Sequence, residues 1–209
     1  MRIGIDIDDT IAEYSEGLKG FIKKRKGWSY VKLEKIPKWA LWEMMLEFSN
    51  SEEYDKIKPV KGVKGVIRKL QPENELVLIT ARTNFRKTRK WINNHFKNNF
   101  SKIRYTRFPE RFGKEKEKKS EILQKEKIEI YIEDKKEEIE EIVKNNKKVK
   151  LILFGKRKEF ENERVEVANS WDKVEKIIRN WYPRQESNLH ATRTCAPKAH
   201  ASASSATRA

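Results

Sequence analysis

RIGIDIDDT, at residues 2–10, joins an apolar run to a cluster of carboxylates, and this combination decides the fold. The run at 2–7 has the length and β-branched content of a strand, and Asp6, Asp8 and Asp9 lie at its end. In an open parallel sheet, ligands bind where the strands end. Three like charges there cost repulsion and desolvation, which a bound cation offsets. Oxygen ligands alone favour Mg²⁺. The alternative is a solvated acidic turn.

Four further runs of strand length follow. They are LVLIT (76–80), IRYTRF (103–108), IEIYI (128–132) and KLILF (150–154). Apolar residues at helical spacing lie between them, as in Val63, Val66, Ile67 and Leu70. This alternation predicts an α/β domain with a parallel sheet between two layers of helices, over residues 1–182.

The first connection is longer than the others. About fifty residues separate the first strand from the helix near Gly62, which is too long for a plain loop. Helical spacing near Tyr14 and in WALWEMMLEF (39–48) predicts a small helical insertion over about residues 12–62. Its Trp39 and Trp42 either line a substrate pocket or belong to the packing of the insertion.

Charge and composition bear on partners and location. The formal charge of +16 suits a nucleic-acid partner, but the lysines are scattered among glutamates, as in KEKEKK at 114–119. Solvated helix faces therefore explain the charge better than a binding groove. The single cysteine excludes an internal disulfide. No membrane span or signal peptide is visible, so a cytoplasmic protein is expected. The oligomeric state is left open.

The last segment, residues 183–209, differs from the rest of the chain. It has one Leu and no Ile, Val or Phe, so it cannot offset its ordering entropy by burial, and disorder is expected. The string PRQESNLH also resembles spurious peptides from reading frames that cross a transfer-RNA gene. A genuine flexible tail is the alternative.

Polar side chains mark other strand ends and helix starts. They are Thr80, Lys119, Glu133 and Asp134. Together they offer what phosphoryl transfer needs, although a helix cap or a surface lysine explains each of Thr80 and Lys119 taken alone. Lys118 is an alternative to Lys119. Arg82 either reaches a substrate phosphate or lies on the surface.

Taken together, these residues resemble the haloacid dehalogenase-like phosphatases. Asp6, Asp8 and Thr10 match the DxDxT motif, and Thr80, Lys119 and the pair Glu133 and Asp134 match the later motifs. The strings DIDDTIAEY, LITAR, KSEIL, IYIEDKKEEI and NSW (169–171) are similar to the 5'(3')-deoxyribonucleotidase-like group. The resemblance implies the strand order 5-4-1-2-3, with a small helical cap after the first strand.

The resemblance also implies a mechanism. Asp6 would be the nucleophile that forms an aspartyl-phosphate, and Asp8 the general acid and then base. Mg²⁺ would be held by Asp6, the backbone carbonyl of Asp8 and Asp134, with Glu133 as an uncertain further ligand. Thr80 and Lys119 would bind the phosphoryl oxygens. The expected substrate is a nucleoside monophosphate. The alternatives are a phosphatase for another metabolite, or a nucleic-acid-binding protein that acts on polynucleotide ends.

Overall fold

The structure is a computed structural model that describes residues 1–106, 117–155 and 159–182. The sheet contains β1 (Arg2–Ile5), β2 (Glu75–Thr80), β3 (Lys102–Tyr105), β4 (Ile130–Glu133), β5 (Lys150–Phe154) and β6 (Val165–Ala168). All pairs are parallel, in the order β3-β2-β1-β4-β5-β6. The predicted parallel α/β fold and the order 5-4-1-2-3 are confirmed, and β6 extends the sheet beyond β5. Residues 107 and 108 of the third predicted strand, and the segment 183–209, lie outside the described residues.

Helices cover both faces of the sheet. They are α1 (Tyr14–Lys26), α2 (Lys38–Asn50), α3 (Val63–Leu70), α4 (Phe85–Phe96), α5 (Lys119–Lys125), α6 (Lys136–Asn145) and α7 (Trp171–Trp181). Side chains of α3, α4 and α7 share one apolar core, and those of α5 and α6 share another. Among the described residues, no helix is long and apolar enough to cross a membrane.

Strand β2 shows how the sequence serves both cores. Leu76 and Leu78 point into the core under α3, α4 and α7, whereas Val77 and Ile79 point into the other. Successive strand side chains alternate between faces, and both faces are buried, so residues 76–79 are all apolar.

Gly4 gives the central strand room for a neighbouring ring. A Cβ at this position would lie 2.9 Å from Cδ2 of Tyr131 on β4. The hydroxyl of Tyr131 donates to Oε2 of Glu133 over 3.0 Å. The glycine therefore helps to place a ring that contacts one of the strand-end carboxylates.

The long first connection contains α1, α2 and two short 3₁₀ helices, Leu33–Lys35 and Glu52–Lys56. Its two ends meet where Ala12 and Pro59 pair in an antiparallel bridge. The connection packs on α4, where the indole of Trp91 donates to the carbonyl of Ile57 over 2.8 Å and Tyr54 bonds Thr88. A helical insertion is therefore present as predicted, while its function as a cap stays a prediction.

Candidate active site

The carboxyl ends of the three central strands bring the predicted site residues together. Strand β1 lies between β2 and β4, and Ile5 pairs with both Leu78 and Ile132. Continuing this register places Asp6 beside Glu133, and the amide of Asp6 donates to the carbonyl of Ile132 over 2.9 Å. The first carboxylate of the motif is thereby fixed at the centre of the sheet edge.

Lys119 links two of the carboxylates. Its Nζ lies 2.8 Å from Oδ1 of Asp6 and 2.5 Å from Oε2 of Glu133. Lys119 is buried at the first turn of α5, whereas Lys118 is exposed. Burial, the largest single effect, lowers the pKa of Lys119, but the charges of Asp6, Tyr131 and Glu133 outweigh it and raise that pKa well above its usual value. The lysine therefore stays charged.

Both oxygens of Glu133 accept hydrogen bonds from protein donors. Its Oε2 accepts from Lys119 and Tyr131, and its Oε1 accepts from the amide of Lys135 over 3.1 Å. Burial alone would raise the pKa of Glu133, but the positive charge of Lys119 and these hydrogen bonds hold it below the usual value. Glu133 is thus an ionised carboxylate whose oxygens are already engaged.

Asp6, Glu133 and Asp134 form an oxygen cluster. One oxygen from each lies within 4.8 Å of the others. Oδ1 of Asp134 is buried and has no hydrogen-bond partner among the described residues. Burial, and then the charge of Glu133, raise the pKa of Asp6 to about 7 and that of Asp134 to about 8. A crowded carboxylate set with one unpartnered buried oxygen fits a hard divalent cation.

Asp8 points toward a different partner. Its Oδ1 accepts from Nε of Arg82 over 2.7 Å and lies 2.6 Å from Nη2, and the Asp8 side chain stays 25% exposed. The sequence predicted metal binding by Asp8 through its backbone carbonyl, and that role stays a prediction. The side chain of Asp8 is held by Arg82, which is itself buried.

Arg82 sits in an aromatic cage. Its guanidinium carbon lies 5.2 to 5.6 Å from the ring centroids of Tyr14, Tyr54 and Trp91. Nη1 of Arg82 is buried and has no hydrogen-bond partner among the described residues. The sequence left Arg82 between phosphate binding and a surface role. The structure buries it beside Asp8, where Nε donates a hydrogen bond and Nη2 lies in the ion pair, and leaves Nη1 in neither contact.

Thr80 ends β2 and is buried. Its Oγ1 accepts from the backbone amide of Arg82 over 3.2 Å, so the hydroxyl stabilises the turn that positions Arg82. The Thr80 hydroxyl proton is free to donate elsewhere because this contact uses the oxygen as an acceptor. Phosphate binding by Thr80 stays a prediction.

The other motif residues have structural contacts. Asp9, at φ 58°, accepts from the amide of Ser15 over 2.9 Å and also bonds the Ser15 hydroxyl, which ties the loop at residues 6–10 to the start of α1. The indole of Trp171 donates to the carbonyl of Thr10 over 2.9 Å. Within the string NSW, Trp171 thus supports the loop through this hydrogen bond, and Ser170 caps α7.

Sequence reasoning missed the aromatic cage and the role of Tyr131. Tyr14 and Tyr54 belong to the insertion, and the sequence analysis noted only the helical spacing near Tyr14. The strand signal IEIYI contained Tyr131 but gave no sign that its hydroxyl reaches Glu133, since a contact two residues along one strand depends on side-chain length.

Replacing Asp134 should affect metal dependence more than replacing Glu133. Asp134→Asn removes an oxygen without a protein partner, so we expect the Mg²⁺ concentration for half-maximal activity to rise by more than about 100-fold. Glu133→Gln should raise it less and instead cost about 1–3 kcal/mol of stability, because Lys119 loses an ionised partner. Metal titrations and thermal unfolding of both variants measure this. The opposite ranking would assign the metal to Glu133.

Stabilisation by Mg²⁺ should grow with pH. The raised pKa values mean that folded, metal-free protein holds protons that the unfolded chain releases, so its stability falls as pH rises from about 4 to about 8. Metal ligation needs ionised carboxylates. A fixed Mg²⁺ concentration should therefore raise Tm more at about pH 8 than at about pH 6. Asp134→Asn should reduce the difference. Equal shifts at both pH values would contradict the carboxylate cluster as the binding site.

Comparisons with known proteins identify the fold. No family model and no curated protein matches the chain. Among solved structures, a predicted phosphatase from Clostridium acetobutylicum has a TM-score of 0.64 at 15% identity, with 86% of this chain and 98% of that chain covered. A haloacid dehalogenase-like hydrolase from Streptococcus pneumoniae has a TM-score of 0.60 at 13% identity, with 85% and 97% covered.

A HAD-hydrolase from Bacillus subtilis, bound to magnesium, has a TM-score of 0.59 at 12% identity, with 85% of this chain and 97% of that chain covered. At these identities the likeness concerns the fold, and the specific resemblance to the deoxyribonucleotidase-like group stays a prediction. The chain has the fold of the haloacid dehalogenase-like hydrolases.

Proposed function

We propose that this protein hydrolyses phosphomonoesters with Mg²⁺, through an aspartyl-phosphate on Asp6. The observation that carries the proposal is the contact between Lys119 and Asp6, 2.8 Å long, beside the oxygen cluster with Glu133 and Asp134. A nucleophile, a cation for the phosphoryl oxygens and a set of metal-binding oxygens converge at the end of one strand. Phosphoryl transfer depends on this kind of positioning and charge neutralisation.

The first step uses the free oxygen of Asp6. Because Oδ1 of Asp6 is held by Lys119, Oδ2 attacks the phosphorus while the bond to the leaving oxygen breaks. Lys119 and the hydroxyl of Thr80 bind phosphoryl oxygens, and Nη1 of Arg82 supplies a further donor. The products of this step are a phosphorylated Asp6 and an alcohol.

Asp8 carries the proton. It donates a proton to the leaving oxygen in the first step and takes one from the attacking water in the second, which releases phosphate and restores Asp6. Arg82 fixes the orientation of the Asp8 carboxyl through Nε and Nη2. The partial exposure of Asp8 gives it access to a substrate oxygen.

Asp6 and Asp134 would hold Mg²⁺, together with the Asp8 backbone carbonyl that the resemblance implies. When bound, the ion neutralises the repulsion between the Asp6 carboxylate and the substrate phosphate. Glu133 then acts mainly on Lys119, because its own oxygens already accept protein donors.

The substrate we propose is a nucleoside monophosphate. The support is the similarity of the motif strings to the deoxyribonucleotidase-like group, together with an insertion whose Tyr14 and Tyr54 rings border the Arg82 and Asp8 pair. A lid of this size closes over small molecules and excludes water. Another small phosphorylated metabolite is the alternative.

A substrate screen tests the proposed function. Purified protein should release phosphate from a panel of phosphorylated metabolites with Mg²⁺ and release none after chelation. Nucleoside monophosphates should be cleaved faster than sugar phosphates and faster than oligonucleotides with a terminal phosphate. Asp6→Asn serves as the control for contaminating phosphatases. Absence of release from the whole panel, or release that chelation leaves unchanged, would contradict the proposal.

A further inference from the structure

A groove lies on the helical insertion, at the end remote from the catalytic loop. It runs between the last turn of α1, the 3₁₀ helix Leu33–Lys35 and the first turns of α2, and its volume is about 710 Å³. The opposite end of α1 is the one tied to Asp9. Because α1 has 13 residues, the groove is about 20 Å from that end. It is a separate site.

Three aromatic side chains line this groove and remain open to solvent. Trp28 is 44% exposed, Tyr30 is 67% exposed and Trp39 is 70% exposed. Aromatic rings contribute large apolar area, and leaving three together in water is costly for a small insertion. Their shared position indicates a surface that presents ring faces to a ligand.

The charged residues of the groove are all basic. Lys26, Lys32 and Lys35 line it, and none of them forms a salt bridge with a described residue. Nζ of Lys32 lies 5.6 Å from the centroid of the Tyr30 ring. Glu34 lies between two of these lysines in the chain, yet no carboxylate is among the described residues that line the groove. The groove therefore combines aromatic faces with three ammonium groups that no described residue neutralises through an ion pair.

We propose that this groove, formed by Trp28, Tyr30, Trp39 and the three lysines, binds single-stranded nucleic acid. Single strands alternate unpaired bases, which stack on aromatic rings, with phosphates, which attract lysines. A purely apolar partner would leave the ammonium groups unused, and a duplex would offer no free base faces. The scatter of lysines in the sequence predicted no such surface. The proposal depends on the fact that three lysines and three aromatic side chains line the same groove.

Fluorescence anisotropy of a labelled deoxythymidine oligomer of about 12 nucleotides tests the proposal. The measurement uses the full chain without Mg²⁺, so that hydrolysis plays no part. Three phosphate contacts at about −0.7 each predict a slope near −2 in a plot of log K against log salt. Trp39→Ala should weaken binding by about 5- to 150-fold. The pair Lys32→Glu and Lys35→Glu should weaken it and flatten the slope by more than about 1.

A matched pair of charge reversals provides the control. Lys173→Glu with Lys176→Glu changes the charge equally on exposed positions of α7 and should affect binding much less. Absence of binding at about 50 mM salt, or equal loss in both charge-reversal pairs, would overturn the proposal. Equal affinity for a duplex would also overturn the proposal. So would a dimer of the chain that Trp39→Ala dissociates, because the groove would then be a contact between two copies of the protein. Because binding is measured without turnover, a protein that does not bind the oligomer can still be a phosphatase. Likewise, a protein without phosphatase activity can still bind the oligomer.

Discussion

Asp6→Asn is expected to lower turnover by a factor of about 10⁴ to 10⁶, because an amide is a poor nucleophile and a weaker ligand for Mg²⁺. The fold should survive. Lys119 keeps its contact with Glu133, and removing one of three crowded carboxylates relieves repulsion. Steady-state rates and thermal unfolding of the metal-free protein measure both effects.

A matched control for this variant is Asp172→Asn, which makes the same change at an exposed position in the first turn of α7. It should leave turnover unchanged and lower Tm by only a few degrees, because a carboxylate in the first turn of a helix contributes about 0.3–1 kcal/mol. Turnover by Asp6→Asn comparable to that of the original protein would refute the nucleophile assignment, while a large fall in Tm would show that the carboxylate is needed for folding.

Asp8→Asn is expected to lower the rate by about 10² to 10⁴ on an alkyl phosphate, the usual value of general acid and base catalysis. The first step with an aryl phosphate should suffer much less, because a phenolate leaves without a proton. A burst of phenol followed by slow phosphate release would then show that the second step still needs the base. Equal loss of the first step with both substrates would assign the proton to another residue.

Five of the six strands could be predicted from the sequence, including β3 at one edge of the sheet, but β6 at the other edge could not. Five runs of strand length predicted β1 to β5, and the runs of β1, β2, β4 and β5 are mostly apolar because those strands are buried on both faces. VEVA at 165–168 was missed since it is short, and its exposed Glu166 is typical of a strand at the edge. The strand order came from the resemblance, and spacing alone does not contain it.

Within the site, the sequence located the strand ends but not the pairings. The string DIDDT alone does not distinguish its three carboxylates. In the structure each has a different partner, with Asp6 beside Lys119, Asp8 beside Arg82 and Asp9 beside Ser15. The first two pairings depend on tertiary contacts between residues 113 and 74 positions apart in the chain, whereas Asp9 and Ser15 are only six positions apart. The choice between Lys118 and Lys119 depends on which side of α5 faces the sheet, which a one-residue uncertainty in the start of a helix leaves open.

The covalent step on Asp6 is the central claim, and chemical trapping tests it most directly. Protein mixed with a cleaved substrate and Mg²⁺, quenched in acid and reduced with borohydride, should yield homoserine at position 6, because borohydride reduces an acyl phosphate and leaves a free carboxylate intact. With an aryl phosphate, whose first step needs no proton, Asp8→Asn should increase the trapped fraction by slowing the second step. Mass spectrometry of the N-terminal peptide locates the change. Homoserine at position 6 would establish the intermediate, and an unmodified Asp6 in protein that is turning over substrate would contradict it.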